Sequence, residues 1–222
     1  MLGAAPRQLA LALAHEESFA REDFLAGASN ADALKLIERW PDWPDRALAL
    51  VGPEGAGKSH LAAIWAERSG ARRVSARALG ETNPVVALAT GALVVEDASA
   101  RLDQRALFHL LNLVREEEAF LLLTAQSQPA AWNIALPDLA SRLRAVPHVA
   151  VSAPDDALLR AILLKLFADR QLAVDESLIG YLVTRIERSF AAARSVVATL
   201  DGEALRRKRP VTRALAAELL AT

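Results

Sequence analysis

The sequence predicts an α/β fold: a five-stranded parallel sheet wrapped by helices, followed by a small all-helical domain. Three observations carry this expectation. The segment Gly52-Pro53-Glu54-Gly55-Ala56-Gly57-Lys58-Ser59 fits the pattern G-x-x-x-x-G-K-[ST] and lies between an apolar run and a helical pattern. Short apolar runs alternate with helical spacing through residue 153. From Pro154 onward only helical periodicity remains.

The elements follow in order. Residues 1–21 read as an N-terminal arm with few core signals, residues 22–153 as the α/β nucleotide-binding domain and residues 154–222 as a helical lid. Strands are expected at Ala47–Val51, Arg72–Ser75, Ala92–Glu96, Phe120–Thr124 and Val149–Val151, with a helix after each of the first four; the first of these helices spans Ser59–Arg68. Lid helices are expected at Asp155–Arg170, Asp175–Arg188, Phe190–Lys208 and Thr212–Ala221, each with apolar residues at i, i+3 and i+4. Pro154, Asp175-Glu176 and Thr212 suit helix starts.

Composition narrows the function. The 222 residues, 53% of them hydrophobic, suffice for one full domain plus a smaller one. A formal net charge of −1 supplies no general attraction for nucleic acid or an anionic membrane. Without cysteine the chain has no disulfide or thiolate metal site, and His15, His60, His109 and His148 lack metal-ligand spacing. The apolar stretch Leu9–Ala14 is too short for a signal peptide and runs directly into His15-Glu16-Glu17. A soluble, cytoplasmic protein is expected.

In the Gly52–Ser59 loop, glycines let successive backbone N–H groups converge on a phosphate, and the following helix adds its partially positive N-terminus. Lys58 would reach the β- and γ-phosphates, and the Ser59 hydroxyl would ligate Mg²⁺. Hydrolysis at such a loop needs acids at the end of a second strand, which Glu96 and Asp97 supply: Glu96 for the metal, Asp97 for the attacking water. The usual first acid is aspartate, so Glu96 is longer than the pattern expects. Two acids capping a strand end are the plainer alternative.

The loop continues into His60-Leu61, and in this it resembles the DnaA family of AAA+ proteins, where G-K-[ST]-H-L is common. Further segments carry the resemblance. Phe24-Leu25-Ala26-Gly27-Ala28-Ser29-Asn30-Ala31 looks like the family's adenine-side box, which implies nucleotide contacts for Phe24 and Asn30. Leu136-Pro137-Asp138-Leu139-Ala140-Ser141-Arg142-Leu143 looks like its box VII, which implies that Arg142 is an arginine finger acting on a neighbouring subunit. Ala193–Leu200 resembles the lid helix with the sensor II arginine, here Arg194, with Arg188 as a competitor; Gln126 stands where family members often have the sensor I aspartate. The resemblance further implies an AAA+ sheet in the order 5-1-4-3-2.

The chain ends at Thr222, without the origin-reading helix-turn-helix of the family's initiators, and so resembles the short, regulatory Hda branch. Gln8-Leu9-Ala10-Leu11-Ala12-Leu13 resembles that branch's sliding-clamp motif Q-L-[SD]-L-P-L, with Ala12 in place of proline. Leu9, Leu11 and Leu13 at alternate positions lie about 7 Å apart on one side of an extended chain, as a peptide entering a groove requires, with Gln8 leading. An alanine-rich helix or tail is the alternative. The implied cofactors are ADP or ATP with Mg²⁺. The implied partners are DnaA, the DNA polymerase III sliding clamp and, through it, DNA, and a homodimer is compatible with the fold. With Glu96 and Gln126 departing from the hydrolytic pattern, weak or no intrinsic ATPase is expected. An autonomous ATPase or helicase loader, and a non-catalytic adaptor for DnaA, are the alternatives.

Two features read as structural. Arg206-Arg207-Lys208-Arg209 suits a helix C-terminus. Trp40, Trp43, Trp65 and Trp132 are too dispersed in sequence for a base-stacking platform, and Trp132 is a candidate for a subunit contact.

Overall fold

The computed structural model describes residues 19–99 and 102–220. The arm's motif residues Gln8, Leu9, Leu11 and Leu13 therefore lie outside the described residues.

Five apolar runs form one parallel sheet: β1 (Ala47–Val51), β2 (Arg72–Ser75), β3 (Ala92–Ala98), β4 (Phe120–Ala125) and β5 (His148–Ala150). Their spatial order is β2-β3-β4-β1-β5, the expected 5-1-4-3-2. Parallel pairing requires each connection to cross the sheet, so both faces are covered and the central strands are apolar on both sides. Alternation then divides the core. Ala47, Ala49, Val51, Leu93, Val95, Leu121 and Leu123 face one layer. Leu48, Leu50, Val94 and Leu122 face the other.

The first layer packs under α4 (Gln104–Glu116) and α5 (Pro137–Ala145), the second under α1 (Ala31–Glu38) and α2 (Lys58–Ser69). Helix α1 has no counterpart among the expected elements. It buries Ala33, Leu34 and Ile37 beside Trp43 and Trp65. Only one short helix, α3 (Pro84–Ala87), follows β2, after a 3-10 turn at Ala76–Glu81. Asn83 caps it, accepting from the N–H groups of Val85 and Val86, with Pro84 in the first turn.

Tryptophans distant in sequence meet in the second layer: Trp43 stacks on Trp65 at 5.0 Å, and Trp40 meets Trp65 edge-on at 6.3 Å. Trp132 is buried in the first layer and donates its indole N–H to the Ser127 carbonyl, which corrects its expected place at a subunit contact.

The lid comprises α6 (Asp156–Asp169), α7 (Glu176–Val183), α8 (Phe190–Arg207) and α9 (Arg213–Leu220), packed around their own core of Leu159, Leu163, Phe167, Ile179, Leu182 and Val197. Asp155, Asp175, Ser189 and Thr212 each accept a backbone N–H at a helix start. Helix α7 stops at Val183, short of the expected Arg188, because the chain must turn to bring Ser189 against the Gly52–Ser59 loop. Phe24 belongs to the sheet's second layer and its neighbour Leu25 packs against the lid core, so one peptide unit joins the two. Arg206 and Arg207 pair with Glu203, and Arg207 also with Glu218, in keeping with their structural reading.

Candidate functional site

Strand β1 is buried along its whole length and delivers the chain to Gly52 at the sheet's C-terminal edge. A Cβ at Gly52 would lie 1.9 Å from the Val151 carbonyl oxygen, so only glycine fits between the strands. Gly55 (φ 71) and Gly57 (φ 98) adopt left-handed conformations, which curl the loop and start α2 at Lys58. The result is a concave ring of backbone at a helix N-terminus, the arrangement that binds anions.

Around this loop opens a cleft of about 1210 Å³ between the sheet edge and the lid. Gly55, Gly57, Lys58, Ser59 and Glu54 line it from the loop, Asp97 and Gln126 from the ends of β3 and β4, and Arg194 from α8. Lys58 is buried and donates to the carbonyls of Gly52 at 2.8 Å and Pro53 at 2.7 Å. Burial pulls its ammonium below its ordinary value, opposed by the Asp97 and Glu54 carboxylates.

The two acids part company. Glu96 does not line the cleft; its carboxylate takes Arg73 Nε at 2.8 Å and Nη2 at 2.7 Å. Asp97 does line it. The register between β3 and β4 shifts between Val95 and Ala98, Asp97 adopts φ 57, and its N–H donates to Thr124 Oγ1 at 3.0 Å. A short polar side chain tolerates this left-handed backbone. Of the pair, Asp97 therefore takes the cleft position that the sequence pattern assigns to Glu96.

The adenine-side segment also differs from expectation. Asn30 is buried, its Oδ1 accepting from Gly27 N and its Nδ2 donating to the Leu25 carbonyl. Its amide is spent on shaping the 25–30 turn, and Phe24 is buried in the core, so Leu25 and Asp23 line the cleft in their place. His60 lies at the cleft wall, Nε2 donating to the Ala20 carbonyl at 3.0 Å and its ring meeting Phe19 and Phe24 edge-on.

Arg194 lines the cleft and its guanidinium lies 5.8 Å from the Phe19 ring, whereas its competitor Arg188 pairs with Asp156. Arg142 lies elsewhere. It projects from α5, outside the cleft lining, with its guanidinium 4.9 Å from the centroid of Phe108. Among the described residues no carboxylate pairs with it.

Several cleft residues belong to none of the sequence motifs: Phe19, Arg77, Lys165 and Asp169. Lys165 bridges Asp23 at 2.7 Å and Asp169 at 3.2 Å, tying the lid to the segment before α1. Only the Lys165–Asp169 spacing of four carries a local signal, and it reads as an ordinary surface pair on a helix. Among the described residues no helix is long and apolar enough to cross a membrane.

No protein-family model matches the chain, and no curated protein matches it. Solved structures do. Domain III of the replication initiation protein DnaA from Thermotoga maritima matches with a TM-score of 0.76 at 16% identity, covering 91% of this chain and 95% of that one. AMPPCP-bound DnaA from Aquifex aeolicus matches at 0.66 and 19% identity, covering 86% of this chain and 68% of that one. The Thermotoga maritima RuvB branch migration motor matches at 0.70 and 15%, covering 90% and 70%. At such identities the likeness is one of fold: a five-stranded parallel α/β domain followed by helices, as in domain III of that DnaA.

Proposed function

We propose that this chain is an Hda-like regulator of replication initiation, which binds adenine nucleotide in the Gly52–Ser59 cleft and stimulates hydrolysis of ATP held by DnaA. One observation carries the reading: among the described residues no carboxylate pairs with Arg142, which projects from α5 outside the lining of its own chain's cleft. A cation so placed serves a phosphate on another subunit better than one on its own. Arginine fingers of this kind accelerate phosphoryl transfer by roughly 10³–10⁵ where they act.

The loop's residues fit a nucleotide. Its glycines leave no room for side chains, its backbone is curled, and Lys58 from the loop and Arg194 from α8 supply positive charge. Mg²⁺, when bound, would neutralise phosphate charge. The Ser59 hydroxyl and Asp97 would hold it, with Glu96 excluded by its pairing to Arg73. Among the described residues no three acids or histidines converge on one point, so such an ion would share its shell with phosphate oxygens. Docking on the sliding clamp through Gln8, Leu9, Leu11 and Leu13, and through it on DNA, rests on the motif alone.

A second reading is an autonomous AAA+ ATPase, favoured by Asp97 standing in the cleft close enough to support the charge of Lys58. Phosphate release from ATP-loaded DnaA with clamp on DNA separates the two. Arg142→Ala should abolish stimulation while leaving ADP affinity intact, and Gln8→Ala/Leu9→Ala should lose clamp binding. Normal stimulation by Arg142→Ala sinks the finger; brisk turnover without DnaA supports the autonomous enzyme.

A further inference from the structure

We propose that Phe108 and Gln104 of α4 are positioning residues for Arg142, holding its guanidinium ready for a neighbouring subunit's phosphates; this rests on the finger reading above. The two residues are one helical turn apart and share a face of α4. Gln104 Oε1 accepts the N–H of Ala135 at 2.9 Å, which pins the loop leading into α5. Phe108 lies beneath the guanidinium, 4.9 Å from ring centroid to Cζ. One face of one helix thus fixes both the entry to α5 and the tip of its arginine.

The support is rigid. Leu107 and Leu110 on α4 and Leu139 and Leu143 on α5 are buried in the same core, and Phe108 packs against it. The type of contact matters as much as its place. A carboxylate would restrain Arg142 but neutralise it and occupy its donors. An aromatic ring restrains it while leaving the charge intact and its five N–H donors uncommitted. A side chain already held in place loses less freedom when it meets its ligand, so the restraint appears in the rate of the step it serves.

The test compares Phe108→Leu, which keeps an apolar side chain of similar reach without the ring face, with Phe108→Trp, which keeps the ring. Phe108→Leu is expected to lower the maximal stimulated hydrolysis of DnaA-bound ATP by about threefold to thirtyfold, the range of a cation–π contact, at an unchanged half-saturating concentration. Phe108→Trp should restore it, and thermal midpoints should agree among the folded variants. Gln104→Ala carries the test should Phe108→Leu fail to fold, with a fall in rate and not in assembly. Independently, the Arg142 Nε–Hε resonance should show a ring-current shift that Phe108→Leu removes. Wild-type rates in Phe108→Leu and Gln104→Ala, alongside an inactive Arg142→Ala, overturn this proposal alone, as does absence of the ring-current shift. An Arg142→Ala protein that stimulates normally overturns the finger reading and the positioning role with it.

Discussion

The backbone N–H of Phe190 donates to the Gly55 carbonyl at 2.9 Å, joining the first turn of lid helix α8 to the middle of the phosphate-type loop. The first N–H groups of a helix have no partner within it. Here one is spent on the loop, while the Ser189 hydroxyl caps the same helix through the Ala192 N–H at 3.0 Å. Lid helix and loop are therefore in direct contact, and Arg194 lies one turn further along α8.

Gly55→Ala tests that coupling. A left-handed conformation costs a residue with Cβ about 1–2 kcal/mol. At Gly55 the new Cβ would also lie 2.6 Å from Ser189 Cβ, so the lid must shift. Gly70→Ala is the control: φ is +68 there, yet nothing lies within 4 Å of the added carbon. Both variants should lose thermal stability, but only Gly55→Ala should also lose ADP affinity by calorimetric titration. Equal behaviour of the two means that the α8 contact does not govern the loop.

Lys58→Met separates stability from binding. Burial lowers the Lys58 pKa, so the unfolded chain binds the more protons and stability rises with pH from the lowered value to the unfolded one near 10.4. Below that window the buried charge carries its full penalty. Lys58→Met should remove this slope and abolish ADP binding, at little loss of stability near neutrality, since the hydrogen bonds to Gly52 and Pro53 go with the charge. Urea midpoints at several pH values, taken as the difference from wild type, read the slope directly. A difference independent of pH refutes the assignment.

What the sequence could show depended on range. The Gly52–Ser59 loop was legible because its glycines are demanded by local backbone conformation, and the strands because two-sided burial makes them uniformly apolar. The limit of α7 was not, since Ile186 continues the apolar period and what ends the helix is the approach of Ser189 to Gly55 in another domain. Trp40, Trp43 and Trp65 looked dispersed and share one cluster, for the same reason. Phe19 and Lys165 join the cleft through contacts that no periodicity records.

Glu96 and Asp97 give the sharpest instance, because a register shift in β3, invisible in the residue pattern, decides which acid meets the cleft. Asp97→Asn should reduce the effect of Mg²⁺ on nucleotide affinity. Glu96→Gln should leave it unchanged and instead weaken the tie between β2 and β3 by at most about 1 kcal/mol, as the Arg73 pair is part-exposed. Titrations with and without Mg²⁺ decide; a larger metal effect lost in Glu96→Gln than in Asp97→Asn reverses the assignment.

His60 supplies a pH dependence of the same sign at lower pH. Its pKa is lowered chiefly by burial and further by Arg194, against the raising influence of the Ala20 and Phe19 carbonyls and Asp23. The folded protein therefore keeps it neutral, with the Nε2 proton held by Ala20. Its contribution is complete above the unfolded value of about 6.5 and is lost as pH falls through the lowered folded value, by up to about 1.4 kcal/mol per pH unit within that window. Acidification should first loosen the segment at 19–24, which meets the cleft wall through Phe19 against His60 and Asp23 against Lys165. His60→Gln keeps an N–H donor without the titration. Stability measured from pH 7.5 to 5 should fall more steeply in wild type than in His60→Gln, with hydrogen exchange rising first at Phe19–Phe24, and parallel profiles remove His60 as the cause.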